Sequence, residues 1–171
     1  MPDPPLAKLR TVPLWIHLDN PANPGAAFHP DRAWLVEHHQ DPRMAQGIEI
    51  GNLEHFVSWT YEQPWMVMHE LAHAYHFRSL PQGENNADAN AAYEDAVASH
   101  RYEAVLRSGG TTERAYALTN RMEYFAETTE AYFGQNDFYP FVRAELRAFD
   151  PKGYALMLAT WGESAVKTPK G

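Results

Sequence analysis

The stretch Met66-Val67-Met68-His69-Glu70-Leu71-Ala72-His73-Ala74-Tyr75 decides how this chain is read. On a helix, residues four apart share one face, so His69 and His73 point the same way. Two neutral imidazoles so placed can hold one Zn²⁺, and the glutamate between them can reach a water on that ion. Such a site needs two ligands from the helix, a third from elsewhere, an open position for water, and a base that is not itself a ligand. The bland alternative is a helix carrying two unrelated surface histidines.

Outward from this stretch, Pro64 suits a first helical turn, and Pro81 and Gly83 set the far limit, so a helix is expected from Pro64 to about Ser79. Trp65, Met68, Ala72 and Tyr75 form its core stripe. Upstream, residues 1–11 read as a loose, proline-rich lead-in. Val12 to Leu18 reads as a strand near a sheet edge because of Pro13. Asn20 to Gly25 is turn-rich, Asp31 to His39 is a short helix, Gly47 to Gly51 a second strand, and Asn52 to Thr60 a helix or helical turn. Downstream, residues 81–88 form a polar loop that could rim a cleft. Helices are expected over Ala89–Arg107, Asn120–Phe133 (closed by Gly134), Phe141–Phe149 and Lys152–Trp161. The class is α+β, mostly α, with a small sheet of short strands. One domain is expected over residues 12–162, with a tail over 163–171.

Composition narrows the chemistry. The 171 residues are 44% apolar and 13% aromatic, which fits a folded globule. No apolar run approaches the ~20 residues of a membrane span. The formal charge is −8, with no basic stripe, which argues against a nucleic-acid partner. There is no cysteine, so thiolate zinc sites, disulfides and cysteine nucleophiles are excluded. Met1-Pro2-Asp3-Pro4-Pro5 lacks the features of a signal peptide. The protein is then cytoplasmic, or secreted or periplasmic if a targeting segment has been removed; the sequence leaves both open, and the oligomeric state too.

Four residues or patterns compete for the third ligand. A histidine ten residues after His69 is ruled out, because position 76 is His76 rather than glycine and position 79 is Ser79. His76 lies two turns from His69 on the same face, ~10 Å along the axis, too far to share its ion. It reads as a packed or rim histidine. Glu94 has the spacing of a thermolysin-like glutamate, but Ala98 stands where that pattern has an aspartate. Glu123, in Glu123-Tyr124-Phe125-Ala126-Glu127, could bind zinc while Glu127 orients an imidazole from behind. Against this, Glu123, Glu127 and Glu130 lie opposite the stripe Met122, Phe125, Ala126, Thr129, Tyr132 and Phe133, as a solvated acidic face would. Glu123 could also close a capping box with Asn120.

The residues resemble a known family. His69-Glu70-Leu71-Ala72-His73, then Glu123-Tyr124-Phe125-Ala126-Glu127 with Tyr116 seven residues before Glu123, resemble the catalytic domain of anthrax lethal factor and its small stand-alone bacterial and fungal relatives, a zincin metallopeptidase group. The likeness runs from about Val12 to Trp161. It implies a zincin-like domain, His69, His73 and Glu123 as zinc ligands, Glu70 as general base, Tyr116 as oxyanion stabiliser, and Glu127 as the outer partner of a ligand histidine. It implies a zinc-dependent peptidase acting on peptide or protein substrates. The His73-to-Glu123 spacing is a few residues longer than in lethal factor, and the chain has no counterpart of its receptor-docking and substrate-recognition domains. Its toxin role and particular substrates are therefore not carried over.

Two other readings stay in play: a catalytically inactive zincin-fold binding protein, and a zinc hydrolase of a non-peptide amide. A structural zinc site fits poorly, since those are usually closed by four ligands, often cysteines. Trp59, Tyr61 and Trp65 read as core rather than a substrate shelf, and His38-His39 as surface.

Overall fold

The computed structural model describes residues 1–163, so the expected tail lies almost wholly outside the described residues. The protein is α+β and mostly helical. A three-stranded sheet is built from β1 (Leu14–Ile16), β2 (Ala26–Phe28) and β3 (Ile48–Ile50), in the order β1-β3-β2. β1 runs parallel to β3 and β2 antiparallel to it. Both expected strands form, and β1 sits at an edge as Pro13 requires. The third strand, β2, falls in a stretch without a strand signal. It has only three residues, and the carbonyl of Gly25 accepts the Gly51 N–H to start its ladder. Gly51 is there for space: a Cβ would fall 1.6 Å from the Asn23 carbonyl oxygen.

The first eleven residues are not a loose lead-in. Asp3–Leu9 forms α1, with prolines in the first turn, where their missing N–H costs nothing, and Leu9 reaches the core. α2 (Arg32–Glu37) and α3 (Leu53–Glu62) follow, each capped by a side chain: Asp31 accepts from the Ala33 N–H and Asn52 from the His55 N–H. The motif helix α4 spans Met66–Ser79. α5 covers only Ala87–Ala98, not the expected run to Arg107. Asn86 caps its start, and His100 turns left-handed just beyond its end at φ 54°. The freed residues form a hairpin of β4 (Val105–Leu106) and β5 (Thr112–Glu113), turning through Ser108-Gly109-Gly110. Residues 81–88, expected as a polar loop, fold into a 3-10 turn at Gly83–Asn85 and the start of α5 with its Asn86 cap, and none of them lines the cleft, in line with the plain-loop reading.

α6 (Arg121–Phe133), α7 (Arg143–Phe149) and α8 (Pro151–Trp161) complete the chain. α4 and α6 pack against each other along their lengths. One apolar cluster joins Ala72 and Tyr75 of α4, Ala92 and Ala96 of α5, Tyr124, Phe125 and Tyr132 of α6, Leu146 of α7, and Met157 and Trp161 of α8. Met68 lies partly buried against it. Gly134 ends α6 as expected, but at φ −150° and ψ −114° rather than in a left-handed cap. Glycine is needed because the Trp65 indole lies 1.7 Å from where a Cβ would stand.

α6 departs most from expectation. Residues 124–132 are all buried, Glu127 and Glu130 included at 4% exposure each. The acidic face is therefore not solvated. It turns inward because the other face of the helix is already covered by α8, and the motif helix α4 lies across it.

Candidate metal centre

α4 and α6 bring the two motifs together. His69 Nε2 lies 2.9 Å and His73 Nε2 3.3 Å from Glu123 Oε2. One ligand atom from each of these residues lies within 4.8 Å of the others. Two atoms each bonded to a tetrahedral zinc at 2.0–2.1 Å stand ~3.3 Å apart, close to the two separations from Glu123, so this donor set is compatible with that ion. Neutral imidazole and carboxylate are also the right ligand chemistry for it. Burial raises the affinity of Glu123 for its proton, but hydrogen bonds from His69 and His73 outweigh this and hold its pKa at about 2, so it stays ionised.

Asn120 accepts the N–H groups of Met122 and Glu123, so α6 starts where the sequence reading put it. The capping box is half made: the Glu123 carboxylate turns to the histidines instead of back to Asn120.

Behind the cluster, the His69 Nδ1–H donates to Glu130 Oε1 at 2.6 Å. The corresponding distance to Glu127 Oε1 is 3.9 Å, too long for a hydrogen bond. Glu127 was expected to orient the imidazole. Glu130, one turn further along α6, makes that bond, and Glu127 instead accepts from Asn136 Nδ2 at 3.1 Å. The reason is helical geometry: position 130 is seven residues beyond Glu123, nearly two full turns, and returns to the same face. Burial lowers the pKa of His69, yet Glu123 and Glu130 carry it well above 6.5. Burial raises Glu130 against the opposing His69, and burial with the neighbouring Glu130 charge lifts Glu127 to about 8.

Glu70 is 8% exposed, and its Oε2 accepts the Phe28 N–H of β2 at 2.7 Å. The edge strand that sequence reasoning missed thus fixes the candidate base. Its only trace in the sequence is the apolar run Ala26-Ala27-Phe28 after Gly25. In this antiparallel ladder the backbone groups of Ala27 face β3, while those of Ala26 and Phe28 face outward.

Tyr116 stands on a 3-10 turn before α6, half exposed, with its ring centroid 6.4 Å from that of His69. Burial and the nearby Glu123 carboxylate push its phenol pKa up, so it keeps its O–H as a donor. Glu94 is exposed on α5 and belongs to neither candidate cluster among the described residues. His76 is fully buried beside Phe125, a packed histidine as read. His38 and His39 are exposed, as read. The aromatic trio is not core: Tyr61 is 86% exposed, Trp59 lines the cleft, and Trp65 lies partly buried over Gly134.

His69, Glu70 and Tyr116 open onto one cleft of about 710 Å³, bounded by Gly25 and Ala26 of the sheet and by the hairpin residues Arg107 and Glu113. Compared with family models, with curated proteins and with solved structures, the chain matches none. No helix among the described residues is long and apolar enough to cross a membrane.

Proposed function

We propose that the protein is a zinc-dependent peptidase of zincin-like architecture. The observation that carries this reading is the convergence of His69, His73 and Glu123, with His69 and the neighbouring Glu70 lining an open cleft. A structural site would have no use for an unligated carboxylate there or for the open side. Zinc held by the three side chains supplies a Lewis acid and a water acidified toward pKa ~7.

The chain's own groups do the rest. Glu130 holds His69 in the tautomer that presents Nε2 to the ion. The Phe28 N–H holds one oxygen of Glu70, leaving the other to take the proton of the attacking water. As water oxygen bonds to the peptide carbonyl carbon and the C–N bond breaks, Glu70 delivers that proton to the leaving nitrogen. The Tyr116 O–H donates to the oxygen on which negative charge develops. The outward N–H and C=O of Ala26 offer an extended peptide a strand to pair with along the cleft. This last feature favours a peptide over a non-peptide amide.

The test is elemental analysis joined to a peptide-library digest read by mass spectrometry. About one zinc per chain, chelator-sensitive cleavage, and loss of metal in Glu123→Ala but not Glu94→Ala are expected. Absence of zinc together with no rise in melting temperature on adding it would overturn the reading.

A further inference from the structure

Glu49 stands at the middle of β3 with none of its surface exposed, and no lysine or arginine among the described residues lies within ion-pair distance of it. Its carboxylate instead collects donors from the chain on both sides of β2. Asn20 Nδ2 donates to Oε1 at 2.6 Å, Asn23 Nδ2 donates to Oε2 at 2.8 Å, and His29 Nε2 lies 2.8 Å from Oε2. Burial raises the affinity of Glu49 for a proton, but these three bonds outweigh it and hold the pKa below the usual carboxylate range. Asn23 precedes β2 and His29 follows it directly. One buried charge therefore ties down both ends of a three-residue edge strand, which has little of its own to fix its register.

Only a carboxylate makes this match. Asn20 Oδ1 accepts the Ala22 N–H at 3.1 Å and Asn23 Oδ1 the Gly25 N–H at 3.2 Å, so neither amide can flip without breaking its turn. Both NH₂ groups need an acceptor at position 49, one at each oxygen. A glutamine there would set its own NH₂ against one of them whichever way it turned.

We infer that Glu49 is a positioning residue for the candidate base: through Asn23 and His29 it fixes β2, and the Phe28 N–H of β2 in turn fixes Glu70. The inference rests on the peptidase reading for its effect on turnover, but the link from Glu49 to Phe28 can be measured without any substrate. The side chains of the metal centre stand on α4 and α6 and share no hydrogen bond with this network among the described residues, so zinc content serves as a control.

Two measurements on the full-length, zinc-supplemented protein test it. In the first, amide hydrogen exchange is read by NMR at Phe28 and, for comparison, at Ala72 in the buried part of α4. In Glu49→Gln, exchange at Phe28 should quicken about tenfold or more while Ala72 keeps its protection. Adding Asn23→Asp gives the glutamine NH₂ an acceptor and keeps the Gly25 turn, and His29 can accept from that NH₂ in its other tautomer. The double variant should therefore recover most of the protection. In the second, kcat and KM are measured on a peptide that the wild type cleaves. Glu49→Gln should lower kcat by about ten- to a hundredfold with zinc content unchanged, and the double variant should regain part of the loss. Unchanged exchange at Phe28 overturns the inference. So does faster exchange at Phe28 with kcat unchanged, since Glu70 would then work without its strand. Equal quickening at Phe28 and Ala72 overturns it as well, because Glu49 would then support the fold as a whole. If Glu49→Gln does not fold, Asn23→Ala, which removes one donor from the carboxylate, is read in the same way. If the wild type cleaves no peptide, the peptidase reading falls by itself, and exchange at Phe28 decides whether Glu49 holds the Phe28–Glu70 bond.

Discussion

Glu130 Oε1 lies 2.6 Å from His69 Nδ1, seven residues along α6 from the carboxylate that faces the same imidazole's other nitrogen. One helix thus grips both sides of one histidine ring. Removing the outer carboxylate should loosen metal binding without removing a ligand. Glu130→Gln is expected to weaken zinc affinity by about 10- to 100-fold, measured by competition with a chromogenic chelator. Glu127→Gln should leave that affinity within a few-fold of wild type. The reverse ranking would restore Glu127 to the role the sequence suggested.

Glu70→Gln should keep zinc and fold and lose turnover. The amide oxygen can still accept the Phe28 N–H, so the side chain stays in place. It cannot accept the proton of water. A fall in kcat of ~10²–10⁴ is expected at unchanged zinc content. Near wild-type turnover would remove Glu70 from the mechanism.

The sequence made the centre legible where one element carries the spacing. His69, Glu70 and His73 share a single helical repeat, while Glu123 stayed one of several alternatives on the residues alone and Tyr116 entered only through the resemblance. What it hid depends on packing between elements. Glu123, Glu127 and Glu130 share a face whichever way α6 turns, and only its contact with α4 makes that face interior. Glu130 then outranks Glu127 by a rotation of the helix that no periodicity records. β2 was hidden for another reason: three residues give no alternation to count, and the strand exists because β3 offers it a ladder. The overlong α5 is the opposite error: Gly109-Gly110 reads as the stop, but the backbone turns left-handed at His100, where no glycine or proline marks it.

His76 gives the protein an acid-sensitive core. Neither of its ring nitrogens has a hydrogen-bond partner, and its ring packs 4.6 Å from that of Phe125. Burial, aided by His73 and Arg121, lowers its pKa from 6.5 to about 4. The folded value lies below the unfolded one, so the unfolded chain binds the proton first. His76 therefore costs no stability above pH ~6.5 and costs progressively more as pH falls toward 4. From pH 8 to pH 5 the loss is about 2 kcal/mol. Urea unfolding of chelator-treated His76→Leu should show a drop between these pH values smaller by about that amount than in wild type. Parallel pH dependence in the two proteins would show that His76 titrates normally.

Tyr116→Phe separates a catalytic hydroxyl from a packing ring. The phenyl group keeps the contact with the His69 ring and deletes only the O–H. Tyr116 is half exposed and makes no hydrogen bond to another described residue through its hydroxyl, so folding does not depend on that group. Its raised pKa keeps the proton on the oxygen across the neutral range, as a donor to a developing oxyanion requires. If the bond forms only as charge builds on the carbonyl oxygen, kcat falls and KM hardly changes. One oxyanion donor is worth roughly 10²–10³ in kcat, ~3–4 kcal/mol. Zinc content and melting temperature should match wild type. A kcat within a few-fold of wild type would leave Tyr116 as a wall of the cleft and remove the oxyanion donor from the proposed mechanism.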